Sequence, residues 1–131
     1  MLMHVSQTAW SAQEALTCPI ALSSQAIQIT APSSEWIAFV GHPLNLMGAG
    51  LMQGEPVTQA HLKPSRITSN KETEIVIWTF EGDYKEGKWL SCSYGDGGIT
   101  LSKRIADSYS ECTVTYKKIP RGRSVEGVTC R

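Results

Sequence analysis

Two stretches of this chain each set a cysteine and a tyrosine on one side of an expected strand, and they constrain the fold more than any other feature. In Lys88-Trp89-Leu90-Ser91-Cys92-Ser93-Tyr94-Gly95, Cys92 and Tyr94 are two positions apart; in residues 111–116, Cys112, Val114 and Tyr116 repeat at the same interval. A period of two puts such residues on a shared strand face, with Ser91, Ser93, Thr113 and Thr115 on the other. Between the stretches lie Asp96-Gly97-Gly98, a turn signal, and the run Ile99-Thr100-Leu101. The chain reads as a β-region stapled by disulfides.

There are four cysteines, Cys18, Cys92, Cys112 and Cys130. An even number, with no C-x-x-C pair and no histidine at finger-like spacing, favours two bridges over a zinc site and an oxidising compartment over the cytosol. On the chain-entropy model, tying the two ends of the chain together contributes close to 5 kcal/mol, against about 3 kcal/mol for joining Cys92 to Cys112. Cys130, next to the last residue, invites pairing with Cys18 near the start, so we expect Cys18 to pair with Cys130 and Cys92 with Cys112, while the other two pairings stay open. A Cys92 to Cys112 bridge carries a condition. Strands separated by a third strand lie nearly 10 Å apart, and bridged Cα atoms lie within about 7 Å. The 99–101 run then cannot sit between the two cysteine strands.

The rest of the chain supplies further period-two runs. Cys18-Pro19 anchors the start of the folded part. Residues 26–30, with Ile27 and Ile29 on one face, read as a strand, as do residues 35–40 beyond the Pro32-Ser33-Ser34 break. Residues 41–56 are apolar but interrupted by glycine, which suits a bulged strand or a loop. Residues 65–72 read as a polar loop. Residues 73–81 give the clearest strand, apolar on both faces, and residues 82–87 read as a charged hairpin tip joining it to the Trp89 strand. A basic, turn-rich stretch over residues 117–123 precedes a closing strand over 125–130. The expected fold is mainly β: a single antiparallel β domain over residues 16–131, a sandwich or strongly curved sheet with at most one or two short helices. Residues 1–15 read as a leader remnant or a flexible N-terminal arm. Ala9-Trp10-Ser11 satisfies a small-x-small rule, although a basic region and a full apolar core are missing.

At 131 residues the chain can bury one core of its own. Twelve Lys and Arg balance twelve Asp and Glu, which argues against a nucleic-acid binder and an electrostatic membrane binder. No apolar run approaches the roughly 20 residues of a membrane-spanning helix. His42 and His61 stand beside no carboxylate or nucleophile in a recognised pattern, and no hydrolase, phosphate-binding or metalloprotease motif occurs. Every cysteine is better used in a bridge than as a nucleophile. Trp36, Trp78 and Trp89 read as core or near-core residues, with an aromatic platform for glycans as the functional alternative. The reading is of a binder and not an enzyme, with no cofactor and no metal.

The order Cys18-Pro19, Gly54-Glu55-Pro56, Leu62-Lys63-Pro64, Trp78-Thr79-Phe80, Trp89-Leu90-Ser91-Cys92-Ser93-Tyr94 and Cys112-Thr113-Val114 resembles a family of small exported proteins of Gram-negative bacteria. Some of its members resemble periplasmic immunity proteins of type VI secretion systems. The resemblance implies an immunity protein that binds a peptidoglycan-targeting effector, of the L,D-transpeptidase or carboxypeptidase-like kind, and occludes its active site in the periplasm. It carries over no residue roles. A periplasmic lysozyme inhibitor, a peptidoglycan-acting enzyme and a structural envelope protein are the alternative readings.

Occlusion requires a projecting segment on a rigid base, so that little ordering entropy is lost on binding. Residues 41–56, 82–87 and 117–123 qualify. The last follows the Cys112 strand, is stiffened by Pro120 and carries Lys117, Lys118, Arg121 and Arg123. Cationic side chains steer association with an acidic partner, and arginine is enriched among interface hot spots. These four residues are the expected partner-binding positions.

Overall fold

A computed structural model describes Met3 and residues 13–131, which form nine strands in two antiparallel sheets. The strands are β1 (Glu14–Leu16), β2 (Ala21–Leu22), β3 (Leu44–Gln53), β4 (Arg66–Ser69), β5 (Thr73–Thr79), β6 (Lys88–Tyr94), β7 (Ile99–Arg104), β8 (Glu111–Ile119) and β9 (Gly122–Cys130). One sheet runs β1-β9-β8-β5-β4 and the other β2-β3-β6-β7. Two single-turn 3-10 helices, Ser24–Ala26 and Pro56–Thr58, are the only helical pieces among the described residues. The mainly β class, the antiparallel pairing and the two disulfides agree with the sequence. Apart from Met3, the leader-like residues 1–12 lie outside the described residues. Glu14 and Ala15 already belong to β1, paired with Cys130 and Thr129.

Alternation explains the central strands. In β8, Cys112, Val114 and Tyr116 are buried, while Thr113 and Thr115 are half-buried. In β5, Val76 and Trp78 point inward. These side chains join Leu51, Leu90, Cys92, Tyr94, Ile105 and Val128 in one core drawn from both sheets. Two buried phenols tie that core to backbone. The Tyr116 hydroxyl accepts from the Ala49 amide at 3.1 Å and donates to the Ala49 carbonyl at 3.0 Å, bridging β8 to β3 in the other sheet. The Tyr94 hydroxyl donates to the Pro19 carbonyl at 2.6 Å. Apolar desolvation holds the Tyr94 pKa above its ordinary value.

The disulfide pairing differs from the expected one. Cys18 bonds Cys92, and Cys112 bonds Cys130. The reason is register: β8 and β9 form a hairpin in which Cys112 and Cys130 lie directly opposite, with Cα atoms 4.1 Å apart. Cys92 is in the other sheet, between β3 and β7, where the segment following β1 crosses it and brings Cys18 to a Cα separation of 5.9 Å. Nearness to the two ends of the sequence does not bring sulfurs together; strand register decides which can meet.

Other local expectations also change. β5 and β6 are not a hairpin; they belong to different sheets, and residues 80–87 carry the chain across. The 99–101 run is the partner of β6, joined to it by the Asp96-Gly97-Gly98 turn. Residues 66–69 of the polar loop form edge strand β4. The glycine-rich 41–56 stretch is mostly β3, with an irregularity between Leu46 and Gly48. Residues 26–30 and 35–40 are not strands and pair with neither sheet.

Candidate functional site

Three contacts fix how the ends of the two sheets correspond. The Lys88 ammonium at the start of β6 lies 4.6 Å from the centre of the Phe80 ring, just past β5. It donates to the carbonyls of Asp107 at 2.9 Å and of Tyr109, just ahead of β8. The Trp78 indole near the end of β5 donates to the Leu62 carbonyl at 2.9 Å, and the Leu62 amide bonds Leu51 of β3. The finish of β5 and the start of β8 therefore lie with the finish of β3 and the start of β6. At the opposite end, four connections leave the fold: β2 to β3, β4 to β5, β6 to β7 and β8 to β9.

The β8–β9 connection holds the residues expected from sequence to meet a partner. Lys117 faces Ser124, Lys118 faces Arg123, and Ile119 faces Gly122 across the hairpin, with Pro120-Arg121 as its tip. Gly122 has φ 137, a conformation that a Cβ disfavours, so glycine is what closes this turn. Lys117, Lys118 and Arg121 are exposed and, among the described residues, make no salt bridge. Arg123 is committed elsewhere. Its guanidinium lies 3.9 Å from the centre of the Tyr116 ring and pairs with Glu74 of β5. That pairing offsets the repulsion of two cations facing each other at Lys118 and Arg123. The structure thus gathers all four residues into one hairpin, three as free cations and one as part of its frame.

The β2–β3 connection, residues 23–43, is unlike the rest of the molecule. None of its side chains is fully buried. Its backbone hydrogen bonds are internal, from Ala26 to Ser23 and from Trp36 to Ser33. Trp36 is 66% exposed, Ile37 94%, Phe39 87% and Ile29 57%. Trp36 is therefore not a core residue. Trp78 is, and Trp89 is half-buried, donating to the Glu86 carbonyl at 3.2 Å. Residues 35–40 have the composition of a strand, and only the missing neighbour sets them apart from one.

Lys88 is the residue that sequence reasoning missed, and no local signal marks it. It is only 5% exposed and sits between carbonyl oxygens and the rings of Phe80 and Tyr84. Desolvation pushes its pKa down, opposed by the Asp107 carboxylate. The arrangement clamps one end of the two sheets together. It presents no nucleophile beside a base. His42 and His61 are both exposed, the first with Nδ1 3.0 Å from the Pro43 carbonyl, the second pairing through backbone with Met52. Among the described residues no cluster of His, Cys, Asp or Glu could hold a metal ion.

No curated protein and no solved structure matches the chain. The sequence pattern of a protein family does, over residues 41–131, which takes in β3 to β9, the basic hairpin and three of the four cysteines. Residues 23–40, with the exposed apolar side chains, precede the matched region. This chain belongs to the type VI secretion system Tli immunity protein family.

Proposed function

We propose that this immunity protein works in the periplasm, where it binds its cognate effector and covers the effector's active site. The observation that carries the compartment is that all four cysteines are joined in two disulfides, a state that persists in oxidising surroundings. Covering a cleft calls for a stiff projection, and the β8–β9 hairpin is one, with its base held by the Cys112–Cys130 bridge and its flank by Arg123 against Tyr116 and Glu74. Its role is stoichiometric binding and not turnover. The motif resemblance makes a peptidoglycan-cutting, L,D-transpeptidase-like effector the first to be tested.

The test is protection. Cells that direct the cognate effector to their periplasm should survive when the chain is exported with it, and lyse when the chain is retained in the cytosol. The purified pair should form a one-to-one complex in which hydrolysis stops. A complex that leaves hydrolysis intact would remove occlusion, and protection from the cytosol would remove the compartment.

A further inference from the structure

The basic hairpin and the exposed apolar connection leave the fold at the same end. Residues 23 and 43 both adjoin the β2–β3 pairing at Leu22 and Leu44. Leu44 lies under the β6–β7 turn at Gly95, and that end is the one from which residues 117–123 project. We propose that this end is a composite docking surface for the cognate effector: Trp36, Ile37 and Phe39, with Ile29 beside them, enter an apolar cleft, and Lys117, Lys118 and Arg121 meet an acidic rim around it. The inference rests on the immunity reading above and names the surface that performs it.

Its size and charge argue for this occupant. The four apolar side chains expose roughly 500 Å², near the upper limit for a patch that a soluble monomer leaves uncovered. Residues 23–43 contain one formal charge, Glu35, and no Lys or Arg, so their burial in a cleft strands almost nothing ionic. Aromatic anchors surrounded by a charged rim are the usual anatomy of a binding site. A second copy fits poorly. A two-fold contact through this patch buries roughly 500 Å² per copy against the 800 Å² or so of a standard interface, and it sets cationic hairpin against cationic hairpin. Residues 1–12 of the chain itself contain no Asp or Glu and cannot complement the cations. An anionic lipid surface shares the required chemistry, but the family assigns this chain a protein partner.

The experiment is calorimetric titration of the effector whose toxicity the chain suppresses into the wild-type chain, a Trp36→Ser/Ile37→Ser/Phe39→Ser variant and a Lys118→Ala/Arg121→Ala variant. Their melting curves and disulfide maps are recorded alongside. All the altered side chains are exposed, so both variants should fold as the wild type does. The expected result is a loss of at least about 100-fold in affinity for the apolar variant. For the charge variant we expect a loss of about 10-fold, seen mainly in the association rate and shrinking as salt rises. An apolar variant that binds within threefold of wild type overturns the inference and leaves the immunity reading standing. A wild-type chain that does not bind the effector overturns both. Sedimentation and flotation with phosphatidylglycerol vesicles cover the other occupants. If the triple variant loses dimerisation or vesicle binding but keeps its effector affinity, the patch belongs to a second copy or to lipid. If removing residues 1–12 raises the wild-type affinity while the triple variant is unaffected, it belongs to the chain's own amino end.

Discussion

At the scale of single residues, two buried polar groups connect the sheets, and each makes a prediction of its own kind. The Tyr116 hydroxyl is the partner of both the amide and the carbonyl of Ala49. Phenylalanine in its place keeps the ring and its stacking with Arg123 but leaves two backbone groups without partners. Tyr116→Phe should therefore cost about 1–3 kcal/mol in urea unfolding, where an exposed tyrosine would cost nothing measurable. Lys88 predicts a pH dependence. Its pKa is lowered in the fold by desolvation, so between that lowered value and the unfolded value of about 10.5 the unfolded chain binds more protons than the native one. Stability gains from Lys88 as pH rises through that window, and the charged form is the less favourable one below it. Tyr94 acts in the opposite sense above about pH 10, because the buried phenol keeps its proton while the unfolded one releases it. Melting temperatures of the wild type and Lys88→Met, taken from pH 7 to 10, should show the alkaline gain in the first and its loss in the second. Parallel curves would show that Lys88 is not the group responsible.

At the scale of elements, the hairpin that carries the cations depends on one backbone conformation. Gly122 has φ 137 with open space around its Cβ position, so alanine there meets strain alone and no clash. Gly122→Ala should cost about 1–2 kcal/mol by thermal unfolding, and it should weaken effector binding in proportion to how far the tip is displaced. Elements of this kind were partly legible in the sequence. β5, β6 and β8 announced themselves because their alternation is set by a core face, and the Asp96-Gly97-Gly98 and Pro120-Arg121-Gly122 turns by residues that tolerate bends. What a strand pattern does not encode is whether a neighbouring edge exists. Residues 35–40 have strand composition and no partner, so they stand in solvent; residues 66–69 have loop composition and an open edge at β5, so they pair. The cysteines show the same limit. Their use in bridges could be read from number and spacing, but their partners depend on β6 and β8 entering different sheets, a long-range fact. Of the candidate site, the basic hairpin was visible as a run of charges beside a proline. Of the apolar connection, Trp36 reads from sequence as a core or near-core residue, since the aromatic side chains that stand in solvent and those that fill an interior are the same ones.

At the scale of the whole molecule, the two disulfides are a large share of what holds the fold together. They close loops with sequence separations of 74 and 18 residues, and the two loops, 18–92 and 112–130, do not overlap, so their effects on the unfolded chain are nearly independent. The chain-entropy model gives about 4.5 kcal/mol for the first and about 3 kcal/mol for the second. Together they amount to about 7.5 kcal/mol, comparable with the entire stability of a domain this size. Replacing Cys18 and Cys92 by alanine should therefore lower stability more than replacing Cys112 and Cys130, because the longer loop is released and the segment covering Leu90 and Tyr94 is freed. Reducing both bridges should bring the protein close to its unfolding midpoint at 37 °C. Urea titration with and without dithiothreitol, together with limited proteolysis, measures this directly. The reduced chain should unfold at a much lower urea concentration and be cut within the β-sheet core, and the Cys18/Cys92 variant should fall further than the Cys112/Cys130 variant. A reduced protein with an unchanged midpoint would mean that packing alone holds the sheets. If the midpoint collapses as expected, a chain held in the reducing cytosol lacks the rigid scaffold that presents residues 23–43 and 117–123 together. The docking surface proposed above then depends on the disulfides.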